Sequence, residues 1–398
     1  MKENLLPYPK DWKNLLNLFK NCFTKPQFNN FSQATTCVAV SQYSTMTRWS
    51  KLFSKKHQST LNDFYTTSPW LEHNVHSRLS RLIVTRVKDA YVGIIDDTLS
   101  HKPYAQKMAH LGIFRDGLTK KKQKGHSIVT HGVQSLELGF VPFDTQLYQK
   151  NGRTKNDIAC AMIQRTQHYR KLPLYVVDSW YSNTQVLGKI TDEKSHYISE
   201  VKSNRNVTIN YKCRYAKEHA THIEEKGFTQ VKIRNTIYRF FQTSAFISGL
   251  GNVNLVFSQK YEESEEDWGD FHYLITDVLS LPGERVIELF LLRGGTEGFH
   301  REAKQHLGLE TYQLRNDRGI ERYLFLVLLV YVLLLAEPAR DEKNLRKKKG
   351  HKRALQTSEG RVLHHYASES KACKKRAFRS VLSRNSIRII AKTRNFSV

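Results

Sequence analysis

Apolar positions run unbroken through residues 90–95 and again through 172–177, and each run is too short for a helix. Such runs predict strands buried on both faces, inside a sheet covered by helices. Between them, residues 127–148 carry two β-like runs that read as neighbouring strands, and 156–172 carry a helical apolar stripe that includes Ile158, Ala161 and Met162. Residues 197–201 read as the last strand of this set, so 85–205 alternates strands and helices. From 206 to 276 the rhythm changes to short β-like runs at 230–234, 237–241 and 253–257, joined by polar turns, which predicts an inserted β domain. Helical spacing returns at Pro282 and continues through 309.

The flanks read differently. Residues 1–84 look helical: Trp12, Leu15, Leu16, Leu18 and Phe19 share a face, and 44–53 reads as a second helix showing basic residues. Ser68-Pro69 offers a further helix start with proline at its first position. Toward the other end, 323–336 is an apolar run of 14 residues. That is short of the ~20 needed to cross a bilayer, so it predicts a buried helix and no membrane partner. The first residues lead into no secretory core. The five cysteines, Cys22, Cys37, Cys160, Cys213 and Cys373, form no Cys-x-x-Cys pair. Neither a zinc site nor a disulfide frame is expected, and a reducing cytoplasm is the natural setting. Histidines 101, 110, 126 and 131 lack the close pairing that zinc would ask for.

Charge adds a partner. The chain holds 63 Lys and Arg against 37 Asp and Glu, a formal net charge of +26, which predicts salt-sensitive attraction to a polyanion. Residues 338–398 alone carry 18 basic and 4 acidic residues, and read as a basic region suited to a polyanion. Residues 101–126 carry Lys102, Lys107, Arg115, Lys120, Lys121, Lys122 and Lys124 and read as a mobile loop tracking phosphates. The helical 1–84 segment is a candidate DNA-binding domain, without a clear helix-turn-helix pattern. Such charge supplies affinity and register rather than sequence choice.

Three acidic positions carry candidate chemistry. Asp96-Asp97-Thr98 closes the first buried run and Asp178 closes the second, where α/β sheets place ligands. Glu297 lies between Arg293 and Lys304 at offsets of 4 and 7 residues, close to one face of a helix. Three carboxylates from separate elements can hold two divalent ions at a phosphoryl transfer, and an oxygen-only donor set suits magnesium.

Phe290, Arg293, Glu297 and Lys304 stand at the spacing Tyr-x2-Arg-x3-Glu-x6-Lys, with Phe at the tyrosine position. With Asp96-Asp97-Thr98, Asp178-Ser179-Trp180-Tyr181, Val201-Lys202-Ser203-Asn204-Arg205 and the 302–309 segment, the chain resembles a cut-and-paste insertion-sequence transposase of the DDE superfamily, in the branch marked by that motif. The resemblance covers about residues 85–335. It implies an α/β fold with a ribonuclease-H-like mixed sheet core interrupted by an inserted β domain, a helical N-terminal domain and a basic C-terminal tail. The domains follow as 1–84, helical and DNA-binding; 85–205, the first part of the core; 206–276, the insert; 277–337, the second part with the Glu-bearing helix; and 338–398, basic.

The implied catalytic and metal-binding triad is Asp97, Asp178 and Glu297, with Asp97 taken over Asp96 because the first Asp of the family commonly stands directly before Thr. Two Mg²⁺ ions, replaceable by Mn²⁺, are the implied cofactors. Double-stranded DNA, as transposon ends and as target, is the implied partner, bound by a homodimer in a prokaryotic cytoplasm at the nucleoid. Arg293 and Lys304 would grip phosphates, with Lys202 and Arg205 as further DNA contacts. Trp268 or Tyr273 of the insert would receive a base flipped from the DNA end. Phe290 removes the tyrosine hydroxyl. Gly294 and Gly295 replace bulkier residues, so either the helix begins there or DNA or backbone approaches closely. Two other readings compete: a ribonuclease-H-like endonuclease without strand transfer, and a non-catalytic DNA-binding protein derived from a transposase.

Overall fold

The computed structural model describes residues 12–41, 45–52, 56–117, 119 and 121–336. The basic region at 338–398 and Lys120 lie outside the described residues. Five helices come first: α1 (Trp12–Asn17), α2 (Lys25–Val40), α3 (Met46–Leu52), α4 (Gln58–Thr66) and α5 (Glu72–Arg86). A capping box closes the start of α2, where Thr24 and Gln27 satisfy each other's backbone. The start expected at Pro69 falls instead at Glu72, after Trp70 has turned inward to donate its indole N–H to the Phe64 carbonyl at 2.8 Å.

The sheet follows. Strands β1 (Val92–His101), β2 (Gly112–Arg115), β3 (Lys122–Ser135) and β4 (Gly139–Leu147) lead to α6 (Lys155–Tyr169), β5 (Leu174–Val177), α7 (Thr184–Asp192) and β6 (His196–Val201). β4, β3 and β1 pair antiparallel; β1, β5 and β6 pair parallel. This is the ribonuclease-H-like mixed sheet that the resemblance implied. β1 and β5 are buried at their apolar runs because helices cover both faces. Thr130 of β3 reaches one covering layer and its neighbour His131 reaches the other, as alternation along a strand requires.

The insert does not hang from linkers. Strands β7 (Asn206–Ile209), β8 (Lys212–Tyr215), helix α8 (Ala216–Ala220), then β9 (Thr229–Ile233), β10 (Thr236–Ile247), β11 (Gly251–Glu262), β12 (Asp267–Trp268) and β13 (His272–Thr276) prolong the same sheet. β13 pairs with β6 on one side and β11 on the other, and the order continues through β10 to β7 and β8.

The chain then returns through α9 (Gly283–Phe290), a 3-10 turn at Leu291–Arg293, α10 (Gly294–His306) and α11 (Asp317–Ala336). α10 lies against β1, β3 and β4. α11 is the buried helix expected from 323–336, wrapped by α2, α4 and α5. Among the described residues no helix is long and apolar enough to cross a membrane. Arg322 of α11 is only 1% exposed. Its guanidinium donates to the carbonyls of Phe64, Tyr65, Ser68 and Trp70 and to Glu72, tying the N-terminal helices to the core.

The 101–126 stretch is a correction to the loop expected there. Most of it is built: β2 and the start of β3 form a hairpin. Lys102 is buried, donating to the carbonyls of Glu310 and Tyr312 at 2.7 and 2.9 Å, so its ammonium satisfies backbone rather than phosphate. Burial lowers its pKa to about 7. His126 is also buried, with one ring nitrogen 2.6 Å from the Tyr312 hydroxyl and the other 2.8 Å from the Ala109 carbonyl. Lys107, Arg115, Lys121 and Lys122 remain exposed.

Candidate active site

Ile95 of β1 lies opposite Val177 of β5, and Val177 opposite Ser199 of β6. The next residues, Asp96, Asp178 and Glu200, therefore form a row of acids across three adjacent strands. Asp96 is cross-strand partner to Thr130, whose hydroxyl shares a 2.9 Å hydrogen bond with His300 of α10. The row thus lies on the face that the Glu297 helix covers. Arg293, in the turn before α10, stands over it: its guanidinium is 3.9 Å from Asp96, 3.7 Å from Asp178 and 3.5 Å from Glu297. Burial opposes its charge, but the carboxylates of Asp96, Asp178, Glu297 and Glu200 outweigh that and hold its pKa above the usual value.

Asp97 takes the other face, because adjacent residues on a strand point to opposite sides. It receives Lys155 from the first turn of α6 at 2.7 Å, the Ser127 hydroxyl at 3.3 Å and the Tyr181 hydroxyl at 3.4 Å. The geometry therefore groups Asp96, rather than the expected Asp97, with Asp178 and the Glu297 helix. A residue's place beside Thr98 cannot reveal this; the register of β1 against β3 and β5 decides it.

Asp96 is 8% exposed. Burial pushes its carboxyl pKa up to about 8, helped by the charges of Asp178 and Asp97 and opposed by Arg293. Burial raises Asp178 as well, although the Trp180 backbone N–H donates to it at 2.9 Å. Glu297 is more open, its side chain 62% exposed. Among the described residues, no group of three or more His, Cys, Asp or Glu side chains is gathered closely enough to hold a metal ion. The donor chemistry nonetheless fits a hard divalent ion. The acids are oxygen-only ligands, and Asp96 and Asp178 are largely buried side by side, where burial raises both pKa values and a divalent ion would favour their ionised forms.

The two helix glycines differ in their surroundings. Gly294 begins α10, and a Cβ there would meet nothing within 4 Å. A Cβ on Gly295 would fall 2.7 Å from the Phe140 Cβ, so it is a neighbouring side chain that approaches closely. Gly294→Ala is expected to stay within about 0.5 kcal/mol of wild type. Gly295→Ala should lose about 1–3 kcal/mol through overpacking. Urea midpoints of the two variants check this, and equal midpoints would refute the close-packing argument.

The other expected contacts divide. Lys304 donates to the Leu99 carbonyl at 2.7 Å and pairs with Glu310 at 3.0 Å; it ties α10 to β1 and is already engaged. Lys202 is exposed, 5.7 Å from the Trp180 ring. Arg205 leans toward the Ser248 carbonyl in the insert. Trp268 is half-buried under the Arg239 guanidinium at 4.7 Å. Tyr273 is 7% exposed and packed against Phe257 and Phe271. As a base receptor it is corrected, since its ring serves the sheet.

Glu200, Lys155 and Tyr181 escaped the sequence reading. A glutamate inside the apolar strand at 197–201 was a visible signal. Tyr181 stands in the Asp178-Ser179-Trp180-Tyr181 segment but with no role marked there, and Lys155 carries no local signal, because their relation to Asp97 exists only in three dimensions.

A comparison with curated proteins finds no match. The Transposase DDE domain family matches residues 88–333, more than half of the chain and the whole span from β1 through most of α11. With its acids set on a ribonuclease-H-like sheet, the chain belongs to the DDE transposases.

Proposed function

We propose that this transposase binds the ends of its own insertion sequence, cuts them by metal-dependent phosphodiester hydrolysis and joins the freed 3′-hydroxyls to target DNA, as a homodimer pairing two ends. The observation that carries this reading is the row of Asp96 and Asp178 beneath Arg293, with Glu297 one helical turn further along. Asp96, Asp178 and Glu297 are the proposed catalytic carboxylates and would hold two divalent ions, Mg²⁺ by preference. Bound there, such ions supply charge neutralisation at the attacking and leaving oxygens. Arg293, within reach of all three acids, is placed to bind a phosphate oxygen at the same spot. Lys155 offsets Asp97 and keeps a second cation at the rim. Lys202 and Arg205, near β6, and Trp268 on the insert are proposed further contacts to DNA. Placement in the Tyr-x2-Arg-x3-Glu-x6-Lys branch rests on the spacing from Phe290 to Lys304.

The test is processing of a duplex carrying the element's own ends, with and without Mg²⁺, by wild type and Glu297→Gln. Wild type should cut at the ends and join them to a target plasmid, while the variant binds the duplex and does neither. Nicking without joining would point to an endonuclease. Binding without chemistry would point to a DNA-binding protein that has lost the reaction.

A further inference from the structure

The third acid of the row, Glu200, holds a histidine. Its carboxylate lies 2.7 Å from Nδ1 of His272 on β13, so Nδ1 carries the proton and donates it. β13 is the next strand of the sheet, and its Leu274 stands opposite Glu200. His272, two residues from Leu274, shares the face of the acid row and prolongs it toward the insert. The Glu200 side chain is 22% exposed and that of His272 53%, so the imidazole is the open end of the pair. With Nδ1 engaged, Nε2 has no hydrogen-bond partner among the described residues.

The surroundings favour the charged ring. The Glu200 hydrogen bond raises the His272 pKa above the ordinary imidazole value; burial and the Arg293 charge oppose the rise, and the Asp270 charge adds to it. The other neighbours are neutral or paired. Ser258 of β11 lies opposite His272, and Lys260 beyond it pairs with Glu262 at 3.0 Å. Lys202, two residues after Glu200, lies toward Trp180. Of the charged residues on α9, which covers β6 and β13, Arg285 pairs with Glu288 and Glu284 completes the set. Two inter-strand steps separate His272 from Asp178, roughly 10 Å. A DNA strand advances about 3.4 Å per nucleotide, so a strand with one phosphate at Asp178 carries others within that span. A row of acids repels those phosphates, and an imidazolium at its open end attracts one.

We propose that Nε2 of His272, its ring held by Glu200, binds a DNA backbone phosphate a few nucleotides from the cut on the side of the insert. This rests on the DNA-cutting reading above. His272 is a positioning residue, which fixes the strand beside the scissile phosphate, and Glu200 acts through it rather than as a further ion ligand. The contact is sequence-independent. It is present while the ring is protonated and is lost as the pH rises through the His272 pKa.

The experiment uses the full chain and duplexes carrying the element's end, with a neutral methylphosphonate replacing one phosphate at a time around the cut. Binding without Mg²⁺ and cutting with it are followed from about pH 6 to about pH 9. At the acid end His272→Gln should bind roughly 10-fold more weakly than wild type, and the gap should close as the pH rises. His272→Lys should keep its binding at the alkaline end, because its charge does not titrate there. Glu200→Gln should move the loss of binding to lower pH, since the ring then lacks the anion that holds its proton. One methylphosphonate position should weaken wild type but not His272→Gln. Equal binding by wild type and His272→Gln at the acid end, or losses that multiply at every position, overturns the proposal while the transposase reading stands. A Glu200→Gln variant that demands more Mg²⁺ with an unchanged pH dependence also overturns it, and makes Glu200 an ion ligand. If wild type binds and never cuts, the transposase reading falls, and binding alone still decides the phosphate contact.

Discussion

Asp96→Asn silences DNA cleavage while Asp97→Asn leaves it measurable: this is the largest separation expected between two adjacent residues of the chain. Asp96 lies beside Asp178 on the face covered by α10, within reach of Arg293. Replacing it with an amide removes an anionic oxygen ligand that a divalent ion would need, an effect expected to cost roughly a thousandfold or more in rate, since ions in such sites contribute several kcal/mol at the transition state. Asp97 supports the site from the opposite face through Lys155 and Tyr181. Losing such an outer partner should cost only about 10- to 100-fold. Single-turnover cleavage of an end duplex, with binding measured in parallel, separates the two. A dead Asp97→Asn beside an active Asp96→Asn would reverse the assignment and restore the first acid expected from Thr98.

Arg322→Ala is expected to destabilise the protein by about 3–5 kcal/mol, as loss of one member of a buried charged network does. The guanidinium satisfies four backbone carbonyls between Phe64 and Trp70 and the Glu72 carboxylate, and its central carbon lies over the Trp70 ring at 4.1 Å. Alanine would take the guanidinium donor from the Tyr65 and Ser68 carbonyls and open space beside a fully buried indole. Arg322→Lys should recover little, because an ammonium cannot spread its donors across that fork. The check is thermal melting together with hydrogen exchange, the first loss of protection appearing around residues 64–72. Melting like that of wild type would show that the helices of the first segment do not depend on this clamp.

Much of the fold was legible because the driving pattern is local. The apolar runs before Asp96 and Asp178 became strands buried on both faces, and the run at 323–336 became a core helix. What escaped was long-range. Lys102, His126 and Tyr312 meet across roughly half the chain, so a stretch rich in lysine read as a loop although one lysine is buried backbone support. Lys304 stands at the motif's spacing yet spends its hydrogen bond on Leu99. Of the candidate site, the positions of Asp178 and Glu297 could be read from the chain. The facing of Asp96 against Asp97 could not, since it depends on strand pairing across 34 and 82 residues.

The continuity of the sheet makes the insert a ruler. Four inter-strand steps separate β5, which leads into Asp178, from β10 in the insert; at about 4.8 Å per step this is roughly 19 Å. Duplex DNA rises about 3.4 Å per base pair, so a duplex laid across the strands would pass some five to six pairs in that interval, close to half a helical turn. A groove facing the acids would then present the opposite side of the duplex at β10. With no hinge between the two points, the distance from the cut to any contact made by the insert is set by hydrogen-bonded strands, and changing it would mean adding or removing a whole strand.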